Sequence, residues 1–231
     1  MSIISIHQPN FLPWVGYFSK IVNSDIFVIL DDVKCSKGSY FNRNRFSTNK
    51  EKDWFWLSVP VEKSNFHLNI NEVTVNSDFI KNHKKYFDLD HLKKSKEPEI
   101  INDLLKIYEK FEKDKFINLS DFNIELIDLI LKRIDCKTKI IKSSEIDKNK
   151  QLKKQDLVIE IVKKLDGKCY LSGAGAEQYQ DSLSFIENNI ELKYNQFDIN
   201  ESSLIKGECM SIFDVFLRAD LCQLKKNLTL L

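Results

Sequence analysis

The sequence is short of features that would point to several other classes of protein. It has no excess of either charge, because 35 lysines and arginines stand against 34 aspartates and glutamates. This balance gives no reason to expect nucleic acid or an acidic membrane surface as a partner. No apolar run approaches the length of about 20 residues that a membrane-spanning helix needs, so we expect no membrane span.

The N-terminus and the cysteines exclude further classes. The first residues read Met-Ser-Ile-Ile-Ser-Ile-His-Gln-Pro, without the basic and apolar regions of a signal peptide. The cysteines are odd in number and none has CxxC spacing, which argues against structural zinc and a disulfide framework. Buried free thiols in the reducing cytoplasm fit better. The five are Cys35, Cys136, Cys169, Cys209 and Cys222.

The composition and length are those of a globular protein. The 231 residues are 42% hydrophobic and 30% charged, which suits one large domain or one domain with an inserted subdomain. We therefore predict a single α/β domain over residues 1–231. Apolar residues recur at helical spacing across residues 78–133, so residues 78–135 are predicted to form a helical insertion or subdomain.

Strands and helices alternate at both ends of the chain. Residues 3–6 and 25–30 are apolar runs typical of buried strands, and residues 16–23 between them suit a short helix. Such a βαβ unit implies a parallel sheet with a right-handed crossover. We predict a doubly wound, mostly parallel, Rossmann-like sheet, in which ligands bind beyond the carboxyl ends of the strands.

Further elements follow the same patterns. Residues 156–165 and 179–188 are predicted helices, and a last helix begins at Ser211. The polar and basic residues 34–45 are predicted to form a loop. Further strands are predicted at residues 54–61, 73–75, 139–142, 169–171 and 190–197.

The first polar cluster follows the first strand. His7 leaves the strand, and Gln8 and Asn10 follow in a loop that Pro9 and Pro13 stiffen. A histidine can bind phosphate as an imidazolium or transfer a proton near neutral pH. We predict His7 as a catalytic residue and the two amides as substrate-binding residues. The alternative is that these side chains only satisfy the backbone of the loop.

The second cluster follows the second strand. Asp31 and Asp32 could hold Mg²⁺ or orient a sugar or an amine, and both are predicted to be catalytic. A guanidinium fork can bind a diphosphate through two hydrogen bonds. The alternative is ion pairing of the aspartates with basic neighbours on a solvated face. The predicted phosphate-binding residues here are Lys37, Asn42, Arg43, Asn44 and Arg45.

The third cluster is a turn of small residues at 172–176 between a strand and a helix. Ser172, Gly173 and Gly175 would let a ligand approach the backbone, and the N-terminus of the next helix would favour an anion. A plain helix start is the alternative. No metal-ligand spacing is present. His83 and His91 are predicted to be surface residues of a basic helix.

The first loop has a partial likeness to the His-x-Gly-His nucleotidylyltransferases. Their loop runs Phe-x-Pro-x-x-x-Gly-His, whereas here it is Phe11-Leu12-Pro13-Trp14-Val15-Gly16-Tyr17. The spacer is one residue short, and Tyr17 stands where the second histidine would be. The likeness leaves a nucleotidylyltransferase that acts on a sugar phosphate as an alternative function.

The motifs taken together along the chain resemble the WbqC-like protein family. They occur at residues 7–14, 16–18, 31–32, 36–37, 42–45, 56–61, 170–173 and 211–214, with His83 and Tyr179 between them. This resemblance implies cytoplasmic work on nucleotide-linked sugars in O-antigen and other surface-polysaccharide biosynthesis. It assigns no catalytic residues.

These observations lead to one functional hypothesis and two alternatives. We expect a transferase or ligase that forms an amide on a nucleotide-activated amino sugar with an acyl or amino-acid donor, with ATP and Mg²⁺ as the cofactors to test. The alternatives are the nucleotidylyltransferase and a non-catalytic partner of a glycosyltransferase. The partner protein would expose an apolar patch around Trp54, Phe55 and Trp56. A homodimer is left open.

Overall fold

A computed structural model describes residues 2–47, 54–87, 95–197, 211–216 and 219–228. One sheet contains β1 (Ile3–His7), β2 (Ile26–Ile29), β7 (Lys139–Lys142), β8 (Cys169–Gly173) and β9 (Glu191–Asn195). Two antiparallel pairs are formed by β3 (Arg43–Ser47) with β4 (Trp54–Ser58), and by β5 (Thr74–Asn76) with β6 (Phe116–Asn118). The α-helices of the described ranges are α1 (Val15–Val22), α2 (Phe79–Phe87), α3 (Pro98–Phe111), α4 (Leu119–Arg133), α5 (Lys154–Lys164), α6 (Ser182–Glu187), α7 (Ile212–Val215) and α8 (Leu221–Leu228).

The five strands of the sheet are all parallel and lie in the order β7-β2-β1-β8-β9. Counted along the chain this is the order 3-2-1-4-5, which Rossmann-like sheets have. The order reverses between β1 and β8, where only Ile3 with Cys169 and Ile4 with Tyr170 are paired. Beyond these pairs the ladder no longer joins the two strands. We call the space between their carboxyl ends the crevice.

Helices cover both faces of this sheet, as the alternation of its side chains requires. Phe27 and Ile29 of β2 pack in one cluster with α1 and α2–α4. Ile4, Ile6 and Val28 point the other way and pack in a second cluster with α5 and α6. No helix in the described part of the chain is long and apolar enough to span a membrane.

The prediction of an inserted helical subdomain at residues 78–135 is not confirmed. The segment contains α2, α3 and α4, but β6 interrupts the helices and pairs with β5. Its buried side chains, such as Tyr108 and Phe122, belong to the same cluster as Phe18 of α1 and Phe27 of the sheet.

Two predicted strands lie outside the main sheet. Of the strand predicted at residues 54–61, Trp54–Ser58 form β4, whose partner β3 begins within the predicted polar loop. β3 was missed because its outward residues are charged, although Asn44 and Phe46 between them are buried. The strand predicted at residues 73–75 is β5 (Thr74–Asn76), which pairs with β6 rather than with the main sheet.

Candidate functional site

The loop at residues 8–13 is held by two buried asparagines. Asn44 donates from Nδ2 to the carbonyl of Leu12 at 2.6 Å, a residue whose φ of 42° lies in the left-handed region. Asn123 of α4 donates to the carbonyls of Pro9 and Phe41, at 2.9 and 2.8 Å. Asn44, predicted to bind phosphate, therefore uses its amide to position the loop. Asn123 was not predicted, because no sequence motif surrounds it.

His7 lies at the carboxyl end of β1, half-buried against the edge of the Tyr17 ring at 5.0 Å. Burial, with a smaller effect of the nearby Lys20 ammonium, lowers the pKa of His7 to about 3. The ring is therefore neutral at pH 7, which argues against phosphate binding by an imidazolium. Its Nδ1 lies 3.2 Å from the carbonyl of Gln8. When Nδ1 carries the proton, Nε2 is left as an acceptor.

Tyr17 of α1 supports the loop in which Gln8 and Asn10 follow His7. The Tyr17 hydroxyl donates to the Gln8 carbonyl at 3.1 Å, so the residue that replaces the second histidine of the nucleotidylyltransferase pattern supports the loop. The Gln8 side chain is half-buried, and Asn10 is buried. Their roles in substrate binding stay predictions.

Lys20 of α1 is a residue of this site that sequence reasoning missed. Its side chain is buried, and Nζ donates to the carbonyl of Ile6 at 2.8 Å. Burial lowers the pKa of Lys20 to about 7. Nothing in the sequence distinguishes this lysine from the many lysines on solvated helix faces. The amine lies 6.0 Å from the centre of the Tyr170 ring on β8, so it occupies the crevice between β1 and β8.

The small residues at 172–176 begin in the last two residues of β8 and continue beyond it, on the other side of this crevice from His7. Ser172 is buried. A Cβ added at Gly173 or Gly175 would meet no atom within 4 Å, so the space beside their backbone is open. The helix predicted from residue 179 begins later than expected. α6 begins at Ser182, and the Asp181 carboxylate accepts a hydrogen bond from the backbone N–H of Leu183 in its first turn. An anion at that helix N-terminus is therefore not supported.

The paired aspartates at the end of β2 are bound to the segment after β7. Asp31 accepts from the backbone N–H of Ser144 at 2.9 Å and from its hydroxyl at 2.7 Å. Asp32 pairs with the buried ammonium of Lys148 at 2.6 Å. Within the described residues no group of three or more acidic, histidine or cysteine side chains could hold a metal ion. Because Ser144 and Lys148 already bind both carboxylate oxygens of Asp31 and one of Asp32, the geometry favours a structural role for the two aspartates.

The predicted basic residues lie on the β3–β4 hairpin. Arg43 stacks over Trp56 at 4.2 Å, and Arg45 lies over Trp54 at 5.3 Å. Together with Tyr40, 5.9 Å from Trp56, they form what we call the aromatic–arginine face. These arginines alternate with Asn44, which contacts the loop, so they point away from the loop and from His7.

The remaining predicted basic and amide residues are placed around this hairpin. The Asn42 side chain donates to the carbonyl of Val59 at 2.9 Å. This bond extends the pairing of the two strands beyond Arg43 and Ser58. Lys37 is exposed beside Gly38, whose carbonyl accepts from Arg43. The structure therefore brings His7, Gln8, Ser172 and the glycines to one crevice but leaves the arginines on a separate face.

A cavity of about 460 Å³ lies at the opposite edge of the sheet. It is lined at the amino ends of β2 and β7, where Asp25, Lys137 and Thr138 lie, and by Cys136. None of the predicted site residues lines this cavity.

His83 differs from the prediction made from the sequence, whereas Cys35 agrees with the expectation of a buried free thiol. His83 is buried rather than on the surface, and its ring lies 3.1 Å from the Ser58 carbonyl and 3.2 Å from the Tyr108 hydroxyl. Cys35 is buried, which raises the pKa of its thiol. His91 and Cys209 lie outside the described residues.

A family model described as "WbqC-like protein family" matches residues 8–220. This chain belongs to the WbqC-like protein family. The match spans the loop after β1, both aspartates, the hairpin and the turn after β8, so the resemblance read from the motifs is confirmed.

The WbqC-like motif at residues 211–214 docks on the first loop. Ile212 donates its backbone N–H to the carbonyl of Pro13 at 2.8 Å, and Ser211 donates to that of Arg45 at 3.1 Å. The Asp214 carboxylate accepts from the backbone and hydroxyl of Ser47. The motif thus joins the far end of the chain to the loop and to β3.

One curated relative comes from Mycobacterium tuberculosis (strain ATCC 25618 / H37Rv) and has the name "Uncharacterized protein Rv1507c". It is 28% identical over 200 residues, which cover 86% of this chain and 84% of the relative. Its name assigns no activity. No solved structure matches the chain.

Proposed function

We propose that this WbqC-like protein forms an amide on a nucleotide-linked amino sugar in surface-polysaccharide biosynthesis, with an acyl or aminoacyl donor. The observation that carries the proposal is the neutral imidazole of His7 at the carboxyl end of β1. It stands beside the crevice where parallel sheets with this strand order bind nucleotides. The proposal implies a cytoplasmic enzyme.

The chemistry requires a proton acceptor. When the sugar amine attacks the carbonyl carbon of the donor, a C–N bond forms and the nitrogen must lose a proton. The free ring nitrogen of His7 takes that proton, and the bond to the leaving group breaks as the carbonyl forms again. The His7 ring is unprotonated at pH 7, but its lowered pKa makes it a weak base. The proposal therefore requires that the negative charge of the bound substrate raises this pKa towards neutrality.

The open backbone after β8 suits the nucleotide part of the substrate. The space beside Gly173 and Gly175 is empty of protein atoms, so phosphate oxygens can approach the backbone there. Asp31 and Asp32 are occupied by Ser144 and Lys148, so no step in the proposal uses a metal held by them. ATP enters only as a test of how the donor is activated.

The test is a transfer assay with UDP- and dTDP-linked amino sugars, acyl-CoA or amino acid with ATP, and mass spectrometry of the sugar product. We expect a product with the wild type and a turnover roughly 10²- to 10⁴-fold lower with His7→Gln. The exposed His67→Gln is the matched control and should be unchanged. Normal turnover by His7→Gln would exclude this role for the histidine, and absence of product with every donor would contradict the amide chemistry.

The aromatic–arginine face favours a second candidate function. Trp54 and Trp56 are each 37% exposed and Tyr40 is 39% exposed, so both tryptophans suit the exposed patch expected of a glycosyltransferase partner. Phe55 does not belong to this patch, because it packs against the core beside Phe46. Replacing Arg43 and Arg45 with Ala tests whether this face takes part in substrate binding at all. Nucleotide-sugar binding that survives this change removes the arginines from the substrate site. Capture of a glycosyltransferase by the wild type but not by Trp54→Ala/Trp56→Ala then supports the partner role.

A further inference from the structure

The buried amine of Lys20 is unusual in where it lies. Lys20 is 5% exposed, whereas lysines are almost never fully buried unless they are paired. The side chain runs from α1 to the crevice, where the β1–β8 ladder has ended after Ile4 and Tyr170. There Nζ donates to the carbonyl of Ile6, two residues beyond the last pair of the ladder.

No acidic side chain of the described residues forms an ion pair with this ammonium. Nζ has three donors, and the bond to Ile6 is the one hydrogen bond it makes within the described part of the chain. A buried charge without a counter-charge is costly to the fold. Its titratable neighbours, His7 on β1 and Tyr170 on β8, supply no negative charge. Burial lowers the pKa of His7, which leaves its ring neutral, and raises the pKa of Tyr170 to about 12, which keeps its hydroxyl protonated.

We propose that Lys20 anchors a phosphate group of the ligand in the crevice between β1 and β8, and that this phosphate supplies the missing counter-charge. The inference rests on the proposed function and deepens it, since it names the contact of the nucleotide diphosphate. Lysine is a common phosphate ligand because its ammonium is a compact point charge.

Two neighbouring features favour a phosphate over other anions. The backbone at Gly173 and Gly175 borders open space on the β8 side, so its groups can be approached closely. The reversal of strand order at this crevice is the position where nucleotide phosphates bind in parallel sheets. A structural role for Lys20 is the competing explanation, since its bond to Ile6 could serve only to close the end of the ladder.

The test compares Lys20→Met, Lys20→Arg and the exposed control Lys164→Met. Calorimetric titration uses inorganic pyrophosphate and UDP as probes and uridine as the uncharged comparison. We expect Lys20→Met to weaken binding of pyrophosphate and UDP by about 10- to 100-fold, Lys20→Arg to keep part of it, and Lys164→Met to match the wild type. At a pH below 7, where the Lys20 amine is charged, the melting temperature of Lys20→Met without ligand should not fall, because the uncompensated charge is gone.

A purely structural role predicts the reverse. Lys20→Met would then be less stable while its affinity for both probes stays unchanged, and this result overturns the proposal, as does a wild type that binds neither probe. If Lys20→Met does not fold, ¹³Cε NMR of lysine-labelled wild type decides: pyrophosphate raises the pKa of Lys20 if it binds there, and an unchanged titration contradicts it.

The outcome is separate from that of the proposed amide chemistry. Binding of pyrophosphate that depends on Lys20, with no transfer to any amino sugar, supports the anchor and removes the proposed reaction. Transfer that proceeds equally in Lys20→Met supports the reaction and removes the anchor.

Discussion

At the scale of single residues, the polar side chains in and around the candidate site divide into two groups. Asn44 and Asp31 are buried and fully engaged by the backbone and by Ser144. His7 and Lys20 border the crevice. A motif shows that a polar residue has a fixed place in the fold, but whether its partner is protein or ligand depends on contacts that residues distant in sequence provide, which is why Asn123 and Lys20 could not be predicted.

His83 gives the residue scale a prediction about acid stability. Burial lowers the pKa of His83 to about 4, from an ordinary value of 6.5. As the pH falls, the unfolded chain therefore binds a proton first, and stability is lost between about pH 6.5 and pH 4. The total is about 3 kcal/mol.

Urea unfolding of the wild type and His83→Asn from pH 7.5 to pH 4 measures this effect. The variant is less stable at pH 7.5, and the stability difference between the two proteins should shrink by about 3 kcal/mol at the acid end. A difference that stays constant with pH would show that the His83 ring titrates in the folded protein as it does in the unfolded chain.

At the scale of elements, the apolar runs at residues 3–6, 25–30 and 169–171 predicted their strands because buried parallel strands are apolar on both faces. The same rule missed β3, since one face of that strand is charged and stacks on tryptophans instead of on a second layer. Likewise, α6 begins at Ser182 rather than at residue 179, because the Asp181 side chain caps it there.

Two glycines at element ends should respond oppositely to Ala. A Cβ at Gly16, in the first turn of α1, would lie 2.1 Å from the Trp14 ring, so the ring must move. Gly16→Ala should therefore cost about 1–3 kcal/mol in the free energy of unfolding. Gly173 has a φ of −76° and open space around it, so Gly173→Ala should leave stability within about 0.5 kcal/mol of the wild type.

The measurements are the melting temperature and the affinity for a nucleotide sugar. For Gly173→Ala we expect an unchanged melting temperature with weakened binding, because the added methyl group would occupy the space in which we propose that the ligand lies. Unchanged binding would mean that the ligand does not touch this turn. Gly16→Ala with wild-type stability would mean that Trp14 has another position available.

At the scale of the whole molecule, the connection from β2 to β7 contains both antiparallel pairs and α2–α4. The sequence predicts the helices of this connection but not that their side chains join the core of the sheet. Periodicity reports which face of a helix is buried, whereas the surface that covers it depends on the order of the strands. The position of β7 beside β2, after so long a connection, could not be predicted for the same reason.

This shared core leads to a prediction about unfolding. Because Tyr108 and Phe122 pack in one cluster with Phe18 and Phe27, residues 78–135 should not unfold separately. Scanning calorimetry should give one transition whose calorimetric and van't Hoff enthalpies agree, and far-UV circular dichroism should follow it. Two resolved transitions would instead identify the helical block as a domain of its own.

The aromatic–arginine face has a further consequence, which is optical. Two of the three tryptophans, Trp54 and Trp56, lie on this face, while Trp14 packs edge-on against Phe197 at 5.9 Å. The intrinsic emission of the protein is therefore dominated by rings that are open to water and close to guanidinium groups. A ligand or partner that covers the aromatic–arginine face should shift the wavelength of this emission, whereas one that binds between β1 and β8 should leave it unchanged. The fluorescence of the unlabelled protein therefore reports which of the two surfaces is occupied.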